Sequence, residues 1–282
     1  MIIAGRRKMT TPAAQAPGED DQERFLERMG RELTGWADPV QRLRQALARD
    51  ELILFAQPIE SLQEPGTYPM AEALVRLREE EAALLPPGEF LPVFEHCRMM
   101  PEFDQWVLRH VAAAISSGSI VRRFGVNVSG QTLAETGFAT EAAAVLARAE
   151  VDPSSVVFEI DESDFLAHPD AAERFAAAAK AIGCKLLLDS FGRRSVSFAA
   201  LKTLGVDYVK VDGVIVRKLA TSEVARAKLS TIARVGEVIG VTVIAECVED
   251  RETVSCLAAA GVRYAQGFGI RPPEPIDKFL GR

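Results

Sequence analysis

The residues that could do chemistry lie where apolar runs end. Glu72 sits in "AEALVR", Asn127 in "VNVS", Glu159 and Glu162 in "FEIDES", and Asp189 in "LLLDS". Lys210 and Asp212 lie in "VKVD", Glu246 and Glu249 in "AECVED", and Gln266 in "AQGF". A buried carboxylate needs a cation, a donor or a proton, because desolvation of the bare charge is too costly. A single such residue would be satisfied by backbone partners, and two could form an ion pair. Carboxylates on strand after strand repel one another unless a hard divalent cation relieves them. An all-oxygen set of Asp, Glu and Asn suits Mg²⁺, Mn²⁺ or Ca²⁺ better than Zn²⁺. The pattern predicts a metal or phosphate site.

The elements that must position these residues alternate along the chain. Strands are predicted at 52–57, 70–77, 124–129, 155–160, 185–189, 208–212, 241–246 and 264–267. Helical spacing falls between them, at 39–51, 102–115, 171–182 and 223–239. Strands alternating with helices predict an α/β fold, a modified (β/α)8 TIM-like barrel with its site at the C-terminal ends of the strands. The first two strands are joined by "PIESLQEPGTYP" without a helix, so they should pair antiparallel. A doubly wound open sheet is the runner-up, and no GxGxxG follows the first strand to support it. Residues 1–38 read as a flexible leader with a short amphipathic helix at 20–36, and 39–282 as the folded domain.

Composition excludes several classes. The 33 basic residues against 40 acidic give a net charge of −7, which disfavours duplex nucleic acid as a partner. Cys97, Cys184, Cys247 and Cys256 are scattered without a CxxC pair, which points to reduced thiols and a cytoplasmic setting. No apolar stretch approaches the ~20 residues of a membrane span.

The motifs resemble those of the EAL domain family, bacterial phosphodiesterases and receptors for cyclic di-GMP. The resemblance runs over roughly residues 40–280. It is carried by "QPI" (57–59), "EALVR" (72–76), "FLPVFE" (90–95), "FDQWVL" (103–108), "NVS" (127–129) and "EIDE" (159–162). "DSFG" (189–192), "KVD" (210–212), "AECVE" (245–249) and "QGF" (266–268) continue it in order. It implies that Glu72, Asn127, Glu159 and Asp189 hold a first metal, Mg²⁺ or Mn²⁺, with Ca²⁺ inhibitory. It implies that Lys210 contacts the nucleophilic water and that Glu246 is needed for catalysis. Gln57, Leu74, Arg76 and Asp104 match positions that contact the dinucleotide. Glu249 and Gln266 belong to the same ligand-binding cluster. A two-metal hydrolysis giving pGpG would follow, and a homodimer or a protein partner would be in keeping with the family.

The loop after Asp189 departs from the family pattern. Ser190 stands where a second aspartate is usual, and Arg193–Arg194 replace Thr-Gly. A hydroxyl does not supply the charge of a carboxylate at a second metal. Arg194 would be strained wherever glycine's positive φ is needed, and Glu162 ordinarily anchors this loop. The two arginines could stand in for the missing cation by reaching the phosphate, or simply be solvated. Asp161 for threonine, Cys247 for glycine, Phe94 for alanine, Ala56 for an aromatic and Pro272 for a basic residue are smaller departures. The sequence therefore reads as a degenerate cyclic di-GMP receptor with weak or no hydrolysis. An active phosphodiesterase is the alternative, and a scaffold without nucleotide binding is a third.

Overall fold

A computed structural model describes residues 38–79 and 83–281. The amphipathic helix expected at 20–36 lies outside the described residues. The main strands are β1 (Leu52–Ser61), β2 (Met70–Glu79), β4 (Arg123–Val128), β5 (Val156–Asp161), β6 (Lys185–Phe191), β7 (Tyr208–Val211), β8 (Thr242–Ala245) and β9 (Tyr264–Ala265). They close into one barrel in the order β1-β9-β8-β7-β6-β5-β4-β2, with β2 returning to β1. β2 and β4 through β9 run parallel; β1 is antiparallel to both of its barrel neighbours, β2 and β9. The antiparallel start follows from the helix-free connection, which returns the chain directly alongside itself. Two short strands escaped the sequence reading. β3 (Ala83–Leu85) pairs antiparallel with β2, and β10 (Glu274–Pro275) pairs with β1. Both are too short to display a period.

Helices cover the outside. Pro39–Ala48 starts behind an Asp38 cap, and Met100–Ser116 buries Phe103, Trp106, Val107 and Val111. Glu223–Ile239 runs from a Ser222 cap to Gly240, whose left-handed φ of 75° ends it. A helix at Pro87–His96 also escaped the sequence reading, since Pro87 and Pro92 obscure its periodicity.

Side-chain alternation builds the site. Inside the barrel, Ile59, Met70, Val157, Leu187 and Ile244 form an apolar cluster of their own, flanked by Tyr208 and Tyr264. Successive inward residues of a strand are two apart. One step towards the mouth from each of these lies Gln57, Glu72, Glu159, Asp189, Glu246, Lys210 or Gln266. An apolar plug thus underlies a ring of polar groups. β2 pairs with β4 only up to Glu72, so Leu74 and Arg76 stand above the rim.

Candidate functional site

At the mouth, one oxygen each from Glu72, Glu159 and Asp189 lie within 4.8 Å of one another. Lys210, 1% exposed, is wedged among them. Its Nζ donates to Glu159 Oε2 at 2.6 Å and Glu72 Oε2 at 2.9 Å, and stands 3.7 Å from Asp189 Oδ2. Glu72 also accepts from Asn127 Nδ2 at 3.0 Å and Gln266 Nε2 at 2.9 Å. Gln266 lies 3.4 Å from Gln57 Oε1, and Gln57 is the cross-strand partner of Glu72. Residues from six strands and the end of a seventh therefore meet in one cluster.

The charges in this cluster do not balance. Fully ionised, three carboxylates against one ammonium would leave a net −2. Burial drives Glu159 up to about 8, with Glu72 and Asp189 adding to the shift and Lys210 opposing it. Burial also raises Asp189. Burial would raise Glu72 too, but Lys210 and its amide donors bring it below the ordinary value. Lys210 is held well above its usual range, the three carboxylates outweighing its desolvation. Among the described residues, Glu159 Oε1 is the only carboxylate oxygen buried without a hydrogen-bond partner. An orphan oxygen in a cluster rich in carboxylates fits a hard divalent cation, and the all-oxygen donors suit Mg²⁺, Mn²⁺ or Ca²⁺ alike. Asn127 would turn its Oδ1 to such an ion.

Gly125 makes room for this arrangement. A Cβ there would stand 1.8 Å from Glu159 Oε1. Its role was not recognised from sequence, although a lone glycine inside the apolar run "FGVNVS" marks close approach by a neighbour.

The family model of the EAL domain matches residues 40–273. The chain belongs to the EAL domain family. It is 28% identical over 261 residues to Cyclic di-GMP phosphodiesterase PdeF of Escherichia coli, covering 92% of this chain and 34% of that one. The first curated relatives are all much longer, and the chain spans about a third of their length. Among solved structures, it resembles the PaMucR phosphodiesterase in complex with c-di-GMP, at 28% identity and a TM-score of 0.79, covering 86% of this chain and 99% of that one. It also resembles the FimX EAL domain of Xanthomonas citri in complex with c-di-GMP, at 25% identity and a TM-score of 0.80, covering 92% and 100%.

In this EAL domain the remaining candidates divide into rim and loop. On the rim, Leu74 and Arg76 face the same side as Glu72 and are half-buried. The Arg76 guanidinium lies 5.6 Å from the centre of the Phe55 ring and donates to Val75 O. Phe55 is the cross-strand partner of Leu74 and was not singled out from sequence. Its neighbour Ala56, where an aromatic is usual, is fully buried on the other face. Glu249 is exposed, and near it Phe268 is 72% exposed. Asp104, expected to contact the dinucleotide, lies beneath the rim. It is 2% exposed, and its Oδ2 accepts from Ser129 N, Ser129 Oγ and Thr132 Oγ1 at 2.6–2.9 Å. Burial pushes it up to about 6 against those bonds. It orients the loop after β4, two residues beyond Asn127.

The loop after β6 is shaped by Ser190, Gly192 and Glu162. Ser190 is buried at φ 57°, in the left-handed region that an L-residue enters with strain. Its N–H donates to Asp189 Oδ1 at 2.7 Å, and its hydroxyl donates to Asp161 on β5. Asp161 and Asp189 are register partners. Gly192 has φ 83° and donates its N–H to Glu162 Oε2 at 3.2 Å. Arg194 is exposed and its φ is not positive, so the strain expected there is absent; Ser190 and Cys247 (φ 55°) carry it. Arg193 Nε donates to Asp212 Oδ2 at 2.6 Å, and its Nη1 lies 4.0 Å from Asp161 Oδ2. Glu246 Oε1 accepts from Gly213 N at 2.7 Å, and burial followed by Asp189 raises it.

Proposed function

We propose that this EAL domain is a cyclic di-GMP receptor that binds the dinucleotide over one divalent ion and hydrolyses it weakly or not at all. Glu72, Asn127, Glu159 and Asp189 would hold Mg²⁺ or Mn²⁺. When bound, the ion supplies a Lewis acid for a phosphate oxygen. Lys210 fixes Glu72 and Glu159 in place and offsets part of their repulsion. The rim offers the complement of a nucleotide. Phe55 and Leu74 present an apolar wall, Arg76 a cation suited to phosphate oxygens, and Phe268 an exposed ring on which a base can stack. Gln57, Glu249 and Gln266 add polar groups along the same mouth.

The observation that carries the weak-hydrolysis half of this reading is Ser190. Phosphodiester hydrolysis at neutral pH needs a strongly ionised water, and that takes dense positive charge held by several carboxylates. At position 190 a hydroxyl faces Asp161 and adds no charge. A second reading, an active phosphodiesterase giving pGpG, is favoured by the presence of Lys210, Glu246 and Gln266 beside the four candidate ligands.

Calorimetric titration with cyclic di-GMP in Ca²⁺, followed by product analysis in Mg²⁺ or Mn²⁺, separates the readings. Binding without pGpG is expected. Turnover at many cycles per minute would establish the phosphodiesterase. Absence of binding in every metal would reject both and leave a scaffold. A homodimer and a protein partner belong to the same proposal, and light scattering with and without nucleotide tests the first.

A further inference from the structure

Among the described residues, those other than glycine with a left-handed φ are Asp50, Arg98, Glu150, Ser190 and Cys247. The first three lie just past the helices Pro39–Ala48, Pro87–His96 and Phe138–Arg148. There the next N–H bonds back into the helix, from Glu51 to Ala46 O, Met99 to Phe94 O and Val151 to Leu146 O, so helix closure accounts for them. Ser190 and Cys247 stand at no helix end, and each directly follows a carboxylate of the mouth, Asp189 or Glu246.

At Ser190 the strand ladder slips. β6 pairs with β7 at Leu188–Val209 and again at Phe191–Val211, so three steps on β6 match two on β7. Such a bulge ordinarily places glycine at its left-handed residue. Ser190, 5% exposed, takes that conformation at φ 57° instead. Two bonds hold it there. Its N–H donates to Asp189 Oδ1 at 2.7 Å, and its hydroxyl donates to Asp161, the register partner of Asp189 on β5. Asp161 is itself pinned by the Ser163 N–H at 2.7 Å. Asp189 Oδ2 is thereby left to face the cluster, 3.7 Å from Lys210 Nζ.

We propose that Ser190 is a positioning residue for Asp189: its hydroxyl, tied to Asp161, holds the left-handed turn that keeps its N–H on Asp189 Oδ1 and aims Oδ2 at the ion site. A carboxylate turns easily about its last torsion, so a fixed donor on one oxygen sets the direction of the other. Backbone strain persists where neighbouring bonds over-determine it, and here those bonds converge on one candidate ligand. The proposal rests on the metal reading above and goes beyond it: Ser190, which brings no charge of its own, orients the carboxylate beside it.

The test compares Ser190→Ala, Ser190→Gly and Ser190→Asn with the wild type. Alanine keeps the strain and loses the hydroxyl, glycine loses both, and asparagine tolerates a left-handed φ while offering Asp161 a donor. In metal-free protein, NMR should show the amide of residue 190 exchanging about tenfold faster or more in Ser190→Ala and Ser190→Gly, and near the wild-type rate in Ser190→Asn. Mn²⁺ affinity should fall about three- to tenfold in the first two, the worth of one net hydrogen bond, and recover in the third. Melting should not follow affinity, because relief of strain should place Ser190→Gly about 2–4 °C above Ser190→Ala. Wild-type exchange in Ser190→Ala and Ser190→Gly would overturn the clamp, and affinities that track melting across the series would reduce Ser190 to a structural residue. Absence of Mn²⁺ uptake by the wild type would instead overturn the metal reading, which the exchange rates do not depend on.

Discussion

Lys210→Met tests the charge argument at its centre. The ammonium is 1% exposed and touches three carboxylates, at 2.6, 2.9 and 3.7 Å. Methionine fills a similar volume, so the lost term is chiefly electrostatic. Removing one member of a buried ion pair costs about 3–5 kcal/mol, because the partner is left as an uncompensated buried charge. For a domain of this size, ~1 kcal/mol corresponds to about 2–4 °C, so the metal-free variant should melt roughly 6–20 °C below the wild type. The deficit should be largest above pH 8, where Glu159 loses its proton, and smaller at pH 6, where protons replace the ammonium. Mn²⁺ should then raise the melting temperature of the variant more than that of the wild type, since its site lacks the one positive charge that competes with the ion. Saturation at ~100 times Kd supplies about 2.7 kcal/mol. Differential scanning fluorimetry in EDTA and in Mn²⁺, at pH 6 and 8.5, measures all of this. Equal melting of the two proteins in EDTA, or equal gains from Mn²⁺, would refute the reasoning.

Two further outcomes follow from the same cluster. Gly125→Ala places a Cβ 1.8 Å from Glu159 Oε1, so Glu159 must swing aside and Mn²⁺ affinity should fall about tenfold or more, at ~1–3 kcal/mol of stability; wild-type affinity by calorimetry would show that Glu159 is not a ligand. Glu159 is raised from an ordinary 4.5 to about 8, so the metal-free fold binds an extra proton between those values and loses stability as pH rises through them, by up to ~1.4 kcal/mol per pH unit. Divalent ion binding should release that proton at pH 7 and tighten towards pH 8, and calorimetry in buffers of different ionisation enthalpy would expose an absence of proton release.

How much of this was legible in the sequence depends on side-chain period. A strand in a barrel is apolar on both faces, so "KLLLD" or "VVFEI" does not alternate, and its inward face is hidden until a polar residue marks it. Glu159, Asp189 and Lys210 were conspicuous for that reason, and eight strands with an antiparallel start followed from their runs and connections. Gly125 and Phe55 were not, because each matters through a neighbour on another strand. The dinucleotide contact of Asp104 was implied by the family resemblance, but its depth is set by how the Met100–Ser116 helix lies on the barrel, and there Ser129 and Thr132 share its oxygen. Arg194 misled because which loop residue adopts positive φ depends on the turn geometry, and here Ser190 and Gly192 do.

The carboxylates of the mouth show why residue type alone does not reveal a metal centre. Glu72, Glu159 and Asp189 surround Lys210, and Arg193 faces Asp212 and Asp161, so by residue type the two sets look alike. Burial and backbone separate them. Glu159 is sealed at the barrel axis, where the inward row offers side chains but no free N–H, so its second oxygen has no partner within the protein. Asp161 and Asp212 sit one step further out than Glu159 and Lys210, where strands give way to helices, and there, as at Glu246 in the ring itself, free N–H groups are at hand. Water reaches Asp161 and Arg193 as well. Glu159 is therefore left for an ion or a proton to complete, while Asp161, Asp212 and Glu246 are satisfied by the fold, Asp212 also by Arg193. The demand for a cation comes from position along the strand, at the boundary between sealed barrel and open loop.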